Sequence, residues 1–219
     1  MFKLFRKLEH GEMIVIAGDP ADGGDDYCAG QAYSLRHHDY PFVFHAKMEA
    51  SQFGHELYKM ACYIKNQTGS WPLIAVEKNV GSATLYVLMT YNYPNLFRMP
   101  KNIFDPKKSK EESDTIGWVT SQTTRMLIID GFALALKQRA IKIYCIETVK
   151  ECMTFIIGPK GKPQAAKGSN DDLVIAAAIA LKVAEISPKT KTINKSEVSA
   201  KIAQFPKQDL FDDSGVPNV

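Results

Sequence analysis

Four carboxylates stand where apolar segments give way to loops: Asp19, Glu77, Asp171 and Asp172. Asp19 follows the apolar run 13–17, Glu77 follows the apolar run 73–76, and the Asp171-Asp172 pair opens a segment rich in Ala and Ile. Elements that end in this way can bring their acids to one edge of a sheet. A carboxylate entering an apolar interior is costly unless it is paired or bound to a cation, and several together repel one another. A divalent cation relieves both problems, and hard oxygen donors select Mg²⁺ or Mn²⁺. Two such ions about 3.5–4 Å apart can activate water and stabilise the leaving oxygen of a phosphodiester. Each acid alone also has a plainer explanation. Asp19 before Pro20 fits a turn, Glu77 could pair with Lys78 or Arg98, and acids at a helix start complement the helix dipole.

The elements that would position these acids follow from hydrophobic period and breakers. Residues 13–17, MIVIA, predict a buried strand closed by Gly18-Asp19-Pro20, with Asp19 extended because a proline follows. A turn over 21–26 leads to a second, antiparallel strand over 27–35 and a third over 42–46, a meander. Phe53, Leu57, Met60, Ala61 and Ile64 recur at helical spacing within a helix over 49–66. The continuous apolar run 73–76 suits an interior strand. A helix over 81–91, a short strand over 96–99 and an exposed polar loop over 101–114 come next. Further helices are predicted over 123–139 and 147–155, with 141–145 a strand or linker and 154–157 a strand. Residues 158–168 read as a loop or hairpin tip. The last helix, 171–186, is apolar nearly all round and therefore buried, with Ser169 or Asn170 as its cap. This order predicts an α/β fold with a central mixed β-sheet flanked by helices, compatible with the ribonuclease H-like architecture. The domain would occupy 13–187, after a lead-in over 1–12 and before a polar segment over 188–219.

Composition narrows the class. A 45% hydrophobic and 23% charged chain of 219 residues is neither disordered nor fibrous. The net charge of +3 is too small to argue for nucleic acid, so any basic surface must come from segregated charge. Cys28, Cys62, Cys145 and Cys152 fit no zinc spacing, and the absence of an apolar leader points to reduced thiols in the cytosol. No apolar run is long enough to span a bilayer. The five histidines, at 10, 37, 38, 45 and 55, show no ligand spacing. No Ser or Cys carries the wording of a hydrolase triad.

Four segments carry a more specific resemblance. Residues 17–26, AGDPADGGDD, resemble the first nuclease motif of the large terminase subunit of tailed bacteriophages, approximately G-x-D-x-A-x-G-x-D. Residues 75–81, AVEKNVG, are similar to the second, an acid followed by Asn and Gly. Residues 117–125, GWVTSQTTR, resemble the G-W-x-T…T-K/R segment, and 168–181, GSNDDLVIAAAIAL, resemble the last motif. Residues 162–168, KPQAAKG, precede that motif as the family pattern requires. Asn170 stands where many relatives carry His.

The resemblance implies a ribonuclease H-like nuclease that cuts concatemeric double-stranded viral DNA during packaging by two-metal-ion hydrolysis. It maps the catalytic acids onto Asp19, Glu77 and Asp172, and two Mg²⁺ or Mn²⁺ ions onto these with Asp171, Asp19 bridging both. Water would be the nucleophile. Lys78, Arg125, Lys160 and Lys162 are the candidate DNA contacts, whereas Lys107, Lys108 and Lys110 sit among acids and read as a solvated loop. The family's full chain carries an N-terminal ATPase, and no phosphate-loop motif occurs here; Gly158 to Lys162 has the wrong spacing. The expectation is therefore an isolated nuclease domain, whose partners would be double-stranded DNA, the ATPase domain, the small terminase subunit and the portal, in the host cytoplasm and away from any membrane. Two rivals share the acid pattern: another ribonuclease H-like DNA enzyme such as a junction resolvase or integrase, and a non-catalytic DNA-docking module.

Overall fold

The computed structural model describes residues 1–21, 23, 26–104, 115–158 and 163–187. Strand β1 (Phe2–Leu4) precedes β2 (Ile14–Asp19), β3 (Tyr27–Ser34) and β4 (Asp39–Lys47). Helix α1 (Ala50–Thr68), strand β5 (Leu73–Val76) and helix α2 (Ser82–Thr90) follow. Then come α3 (Gln122–Lys137), β6 (Lys142–Ile143), α4 (Ile146–Thr154), a hairpin of β7 (Phe155–Ile157) and β8 (Pro163–Ala165), and α5 (Asp172–Ile186). The main sheet runs β1-β4-β3-β2-β5, with β6 also on β4. β2, β3 and β4 form the predicted antiparallel meander, and β5 joins β2 in parallel.

The apolar runs of β2 and β5 are continuous because both faces are covered. Ile14, Ile16, Ile74 and Val76 pack with Phe53 and Leu57 of α1 and Leu88 of α2. Val15, Ala17, Leu73 and Ala75 pack on the other face with Phe132 of α3 and Ile175 and Ile179 of α5. Every residue from Leu173 to Leu181 is buried, as the all-round apolar pattern of α5 requires. The glycine pair Gly18 and Gly30, side by side on β2 and β3, lets α1 approach closely: a Cβ at Gly18 would lie 2.9 Å from Leu57.

The main sheet differs from the sequence reading in two features. Residues 1–12 contain β1, which pairs Phe2, Lys3 and Leu4 with Phe44, Val43 and Phe42 of β4. The strand predicted over 96–99 is reduced to isolated bridges, Leu96 with Ile74 and Arg98 with Ile116 and Gly117, because the chain borders β5 only briefly. Most of the predicted polar loop, including Lys107, Lys108 and Lys110, lies outside the described residues.

The turn from β5 into α2 folds back on the strand ends. A Cβ at Gly81 would meet the Glu77 carbonyl oxygen at 2.1 Å and Pro20 at 3.0 Å. Gly81→Ala should therefore destabilise the fold by about 1–3 kcal/mol, the usual cost of overpacking. Urea unfolding checks it, and an unchanged midpoint would mean that this turn is slack.

Candidate functional site

Parallel pairing sets the geometry. Gly18 of β2 is in register with Val76 of β5, so Asp19 and Glu77 come next at the same end of adjacent strands. The Glu77 N–H donates to the Gly18 carbonyl at 2.8 Å, which carries the pairing one residue beyond β5. Asp172 begins α5, which packs across β2 and β3. Asp19 thus stands between Glu77 and the Asp171-Asp172 pair at one corner of the sheet, although among the described residues these acids do not bring three ligand atoms within 4.8 Å of one another.

Their protonation records that crowding. The Asp19 carboxyl is held well above its ordinary range, first by burial and then by Glu77, Asp172 and Asp171, with the Arg125 guanidinium opposing. Asp172 is pushed up to about 6 by burial, then by Asp171 and Asp26. Glu77, 7% exposed, is raised by burial, while the Thr120 hydroxyl and Arg125 partly oppose the shift. A cleft of about 420 Å³ opens beside Asp19, Asp171 and Asp172, with Asp26, Tyr27 and Lys47 also on its wall. Glu77, Lys78 and Arg125 do not line it.

Side chains from the same motifs tie the corner together. The Asn79 amide donates to the Thr120 carbonyl at 2.7 Å and accepts from the Thr120 N–H at 3.3 Å, pairing as a peptide group would. Ser121 caps α3: its hydroxyl accepts from the Thr124 N–H, and the Thr124 hydroxyl accepts from the Ser121 N–H. That capping sets the first turn of α3, from which Arg125 pairs with Asp171 and donates through Nε to the Pro163 carbonyl at 3.1 Å. Lys78 is partly exposed, and its N–H donates to the Trp118 carbonyl. Lys160 and Lys162 lie outside the described residues.

The predicted cap of α5 by Ser169 or Asn170 is replaced. Asp171 is the N-cap residue and caps with no side-chain bond. Glu151 of α4 takes that place, its Oε2 accepting from the Leu173 and Val174 N–H groups at 2.9 and 3.1 Å. Burial, with help from Asp172 and Asp171, pushes the Glu151 carboxyl up to about 7 against those two hydrogen bonds. Sequence reasoning also found no role for His45 and passed over Lys47. Across the sheet Asp19 is opposite Ala29, and Ala29 is opposite His45, so His45 belongs to the same row as Asp19. The His45 ring stacks on Tyr27 at 4.4 Å, its Nε2 is buried without a hydrogen-bond partner, and burial with the N-terminal ammonium and Lys3 lowers it to about 4. Lys47 stands 5.3 Å over the Tyr27 ring. No spacing in the sequence signals these residues; only the strand register and the docking of α4 on α5 do.

No family model matches the chain, and no curated protein matches it in sequence. Solved structures do. The large terminase nuclease of thermophilic phage G20c with bound magnesium matches with a TM-score of 0.61 at 14% identity, over 82% of this chain and 85% of that one. The same nuclease is solved with cobalt and with zinc bound. The P22 large terminase nuclease domain matches with a TM-score of 0.50 at 13% identity, over 90% and 91%. A longer large terminase, from another thermophilic bacteriophage, matches with a TM-score of 0.54 at 13% identity, over 83% of this chain and 42% of that one. The fold is thus the α/β ribonuclease H-like fold. Among solved proteins it is the fold of the phage large-terminase nuclease domains.

Two outcomes follow from the corner. Asp172 binds its proton more tightly folded (about 6) than at its ordinary 3.8, so its contribution to stability falls as pH rises through that window. In EDTA, Asp172→Asn should melt above the wild type at pH 8, with the gain shrinking toward pH 5; thermal melts that show a growing gain on acidification would contradict the repulsion. Glu151→Ala should cost about 1–3 kcal/mol by leaving two buried N–H groups unpaired. Glu151→Gln, which keeps an acceptor oxygen, should cost less in the same denaturation series.

Proposed function

We propose that the chain is the nuclease domain of a phage large terminase, a metal-dependent endodeoxyribonuclease that cuts concatemeric double-stranded DNA during genome packaging. The observation that supports the reading is Asp19 at the end of β2 with Glu77 just beyond β5 on one side and Asp172 at the start of α5 on the other, each held above its ordinary pKa. The likeness in fold to terminase nuclease domains supports it, and the magnesium bound in the G20c nuclease supports the use of a divalent cation. On sequence grounds the domain would occupy 13–187, with 188–219 a polar segment, and β1 adds residues 2–4 to its sheet.

We assign two Mg²⁺ or Mn²⁺ ions to this donor set on its chemistry. The set is made of carboxylate oxygens, and the like-charge repulsion that raises Asp19 is what a cation would cancel. Asp19, Glu77 and Asp172 would hold the ions, with Asp171 as a helper. Bound there, such ions supply an activated water and charge neutralisation at the leaving oxygen. The chain's own part is orientation. Strand pairing fixes Asp19 and Glu77, the Glu151 cap fixes the start of α5, and Arg125 holds Asp171. Lys78 and Arg125 are the proposed phosphate contacts near the acids, with Lys160 and Lys162 joining them on sequence grounds. In the full-length protein the partners would be the ATPase domain, the small terminase subunit and the portal, in the host cytoplasm. Among the described residues no helix is long and apolar enough to cross a membrane.

Cleavage of supercoiled and linear plasmid in Mn²⁺, Mg²⁺ or EDTA tests the reading. Asp19→Asn and Asp172→Asn should each lose more than about 100-fold in rate, since a metal supplies several kcal/mol and each 1.36 kcal/mol is tenfold. Preference for four-way junctions over linear duplex would indicate a resolvase instead. Metal-independent DNA binding without any cutting would indicate a docking module.

A further inference from the structure

Asp172 belongs to a second group of side chains. One ring nitrogen of His45 and one carboxylate oxygen each of Glu151 and Asp172 lie within 4.8 Å of one another. We propose that these three residues form a mixed nitrogen–oxygen site for a borderline divalent transition ion of the zinc class. β4, α4 and α5 each supply one of them, so the site exists only in the folded chain.

Three observations support a cation here. First, the Nε2 of His45 is buried with neither solvent nor a hydrogen-bond partner. An unsatisfied buried polar atom is normally avoided, and a bound ion would satisfy a ring nitrogen. Second, the ligand carriers are oriented. The His45 ring is stacked on Tyr27, and two backbone N–H groups of α5 fix the Glu151 carboxylate through Oε2. Hydrogen bonding of ligating carboxylates in this way is the usual support for a metal site. Third, the donor chemistry discriminates. An imidazole suits zinc-like ions, whereas Mg²⁺ and Ca²⁺ prefer oxygen alone. Three protein donors also leave a position open, as in catalytic rather than structural zinc sites.

The site touches the nuclease reading through Asp172 alone, which would answer to both. Zinc occupancy would then compete for an acid that the proposed cutting reaction needs. Binding at His45 does not itself depend on any nuclease activity.

The test is a Zn²⁺ titration of the 219-residue chain followed by ¹H–¹⁵N spectra of the histidine rings, with Mg²⁺ in parallel. The His45 ring signals should shift saturably with Zn²⁺ and stay in place with Mg²⁺. Glu151→Gln keeps an acceptor for the α5 N–H groups and should weaken the Zn²⁺ titration by at least about tenfold, because loss even of an outer-shell partner costs about 10–100-fold. His45→Asn should abolish the high-affinity Zn²⁺ uptake assigned to this ring, and Asp19→Asn should leave the His45 shift intact. A His45 ring that ignores Zn²⁺, or that responds equally to Mg²⁺, overturns the proposal. So does a titration that survives Glu151→Gln or disappears in Asp19→Asn. Plasmid cutting is read separately: its absence beside an intact His45 titration would sink the nuclease reading and leave this site standing, and the reverse result would do the opposite.

Discussion

Like charges gathered at one half-buried corner are the constraint around which this structure is arranged. Asp19, Glu77, Asp171 and Asp172 stand at that corner, and burial is the first cause of the raised carboxyls of Asp19, Glu77 and Asp172. Such a cluster is tolerated only if opposing charge and hydrogen bonds are brought to it. The chain brings Arg125 to Asp171, backbone N–H groups to Glu151, and the Asn79–Thr120 pairing to the loop beside Glu77. The remaining repulsion is what a divalent cation would relieve.

The architecture explains why the acids sit at strand ends. A parallel pair such as β2 and β5 cannot be closed by a tight turn and needs a crossover, here the rest of the meander and α1. With helices on both faces, the strand interiors must be apolar, so charge can enter only where a strand stops. Small residues make room for that layering. Gly18 and Gly30 admit α1 to one face, and the run of alanines in α5 lets that helix lie close on the other. Gly81 then folds the chain back over the very ends that carry Asp19 and Glu77.

The corner is also joined to elements that carry none of the predicted catalytic acids. Glu151 links α4 to the first turn of α5, and Arg125 links α3 to Asp171 and to β8. Several motif residues therefore have structural roles: Asn79 imitates a backbone pair, Ser121 and Thr124 cap a helix, and Arg125 is engaged with a carboxylate. A loss of function at Asn79, Ser121 or Thr124 would report displaced acids rather than lost chemistry. Glu151 caps a helix, and its carboxylate also lies beside Asp172 and His45.

Much of this was legible in the residues. Continuous β-branched runs announced β2 and β5, helical spacing announced α1, and an all-apolar helix announced that α5 is buried, because each pattern is a local record of how many faces are covered. The placing of Asp19 and Glu77 at strand ends was legible for the same reason: with both faces covered, a charge can stand only where the strand stops. What the sequence by itself determined was therefore most of the main elements, though not β1 or β8, and which charges close them. Tertiary structure alone decided the rest. The strand register that puts His45 in a row with Asp19, the docking that turns Glu151 into the cap of α5, and the pairing that engages Arg125 all join residues well separated along the chain. No local period encodes such contacts, because they depend on how whole elements pack, and a one-residue slip of a strand would send every one of its side chains to the opposite face.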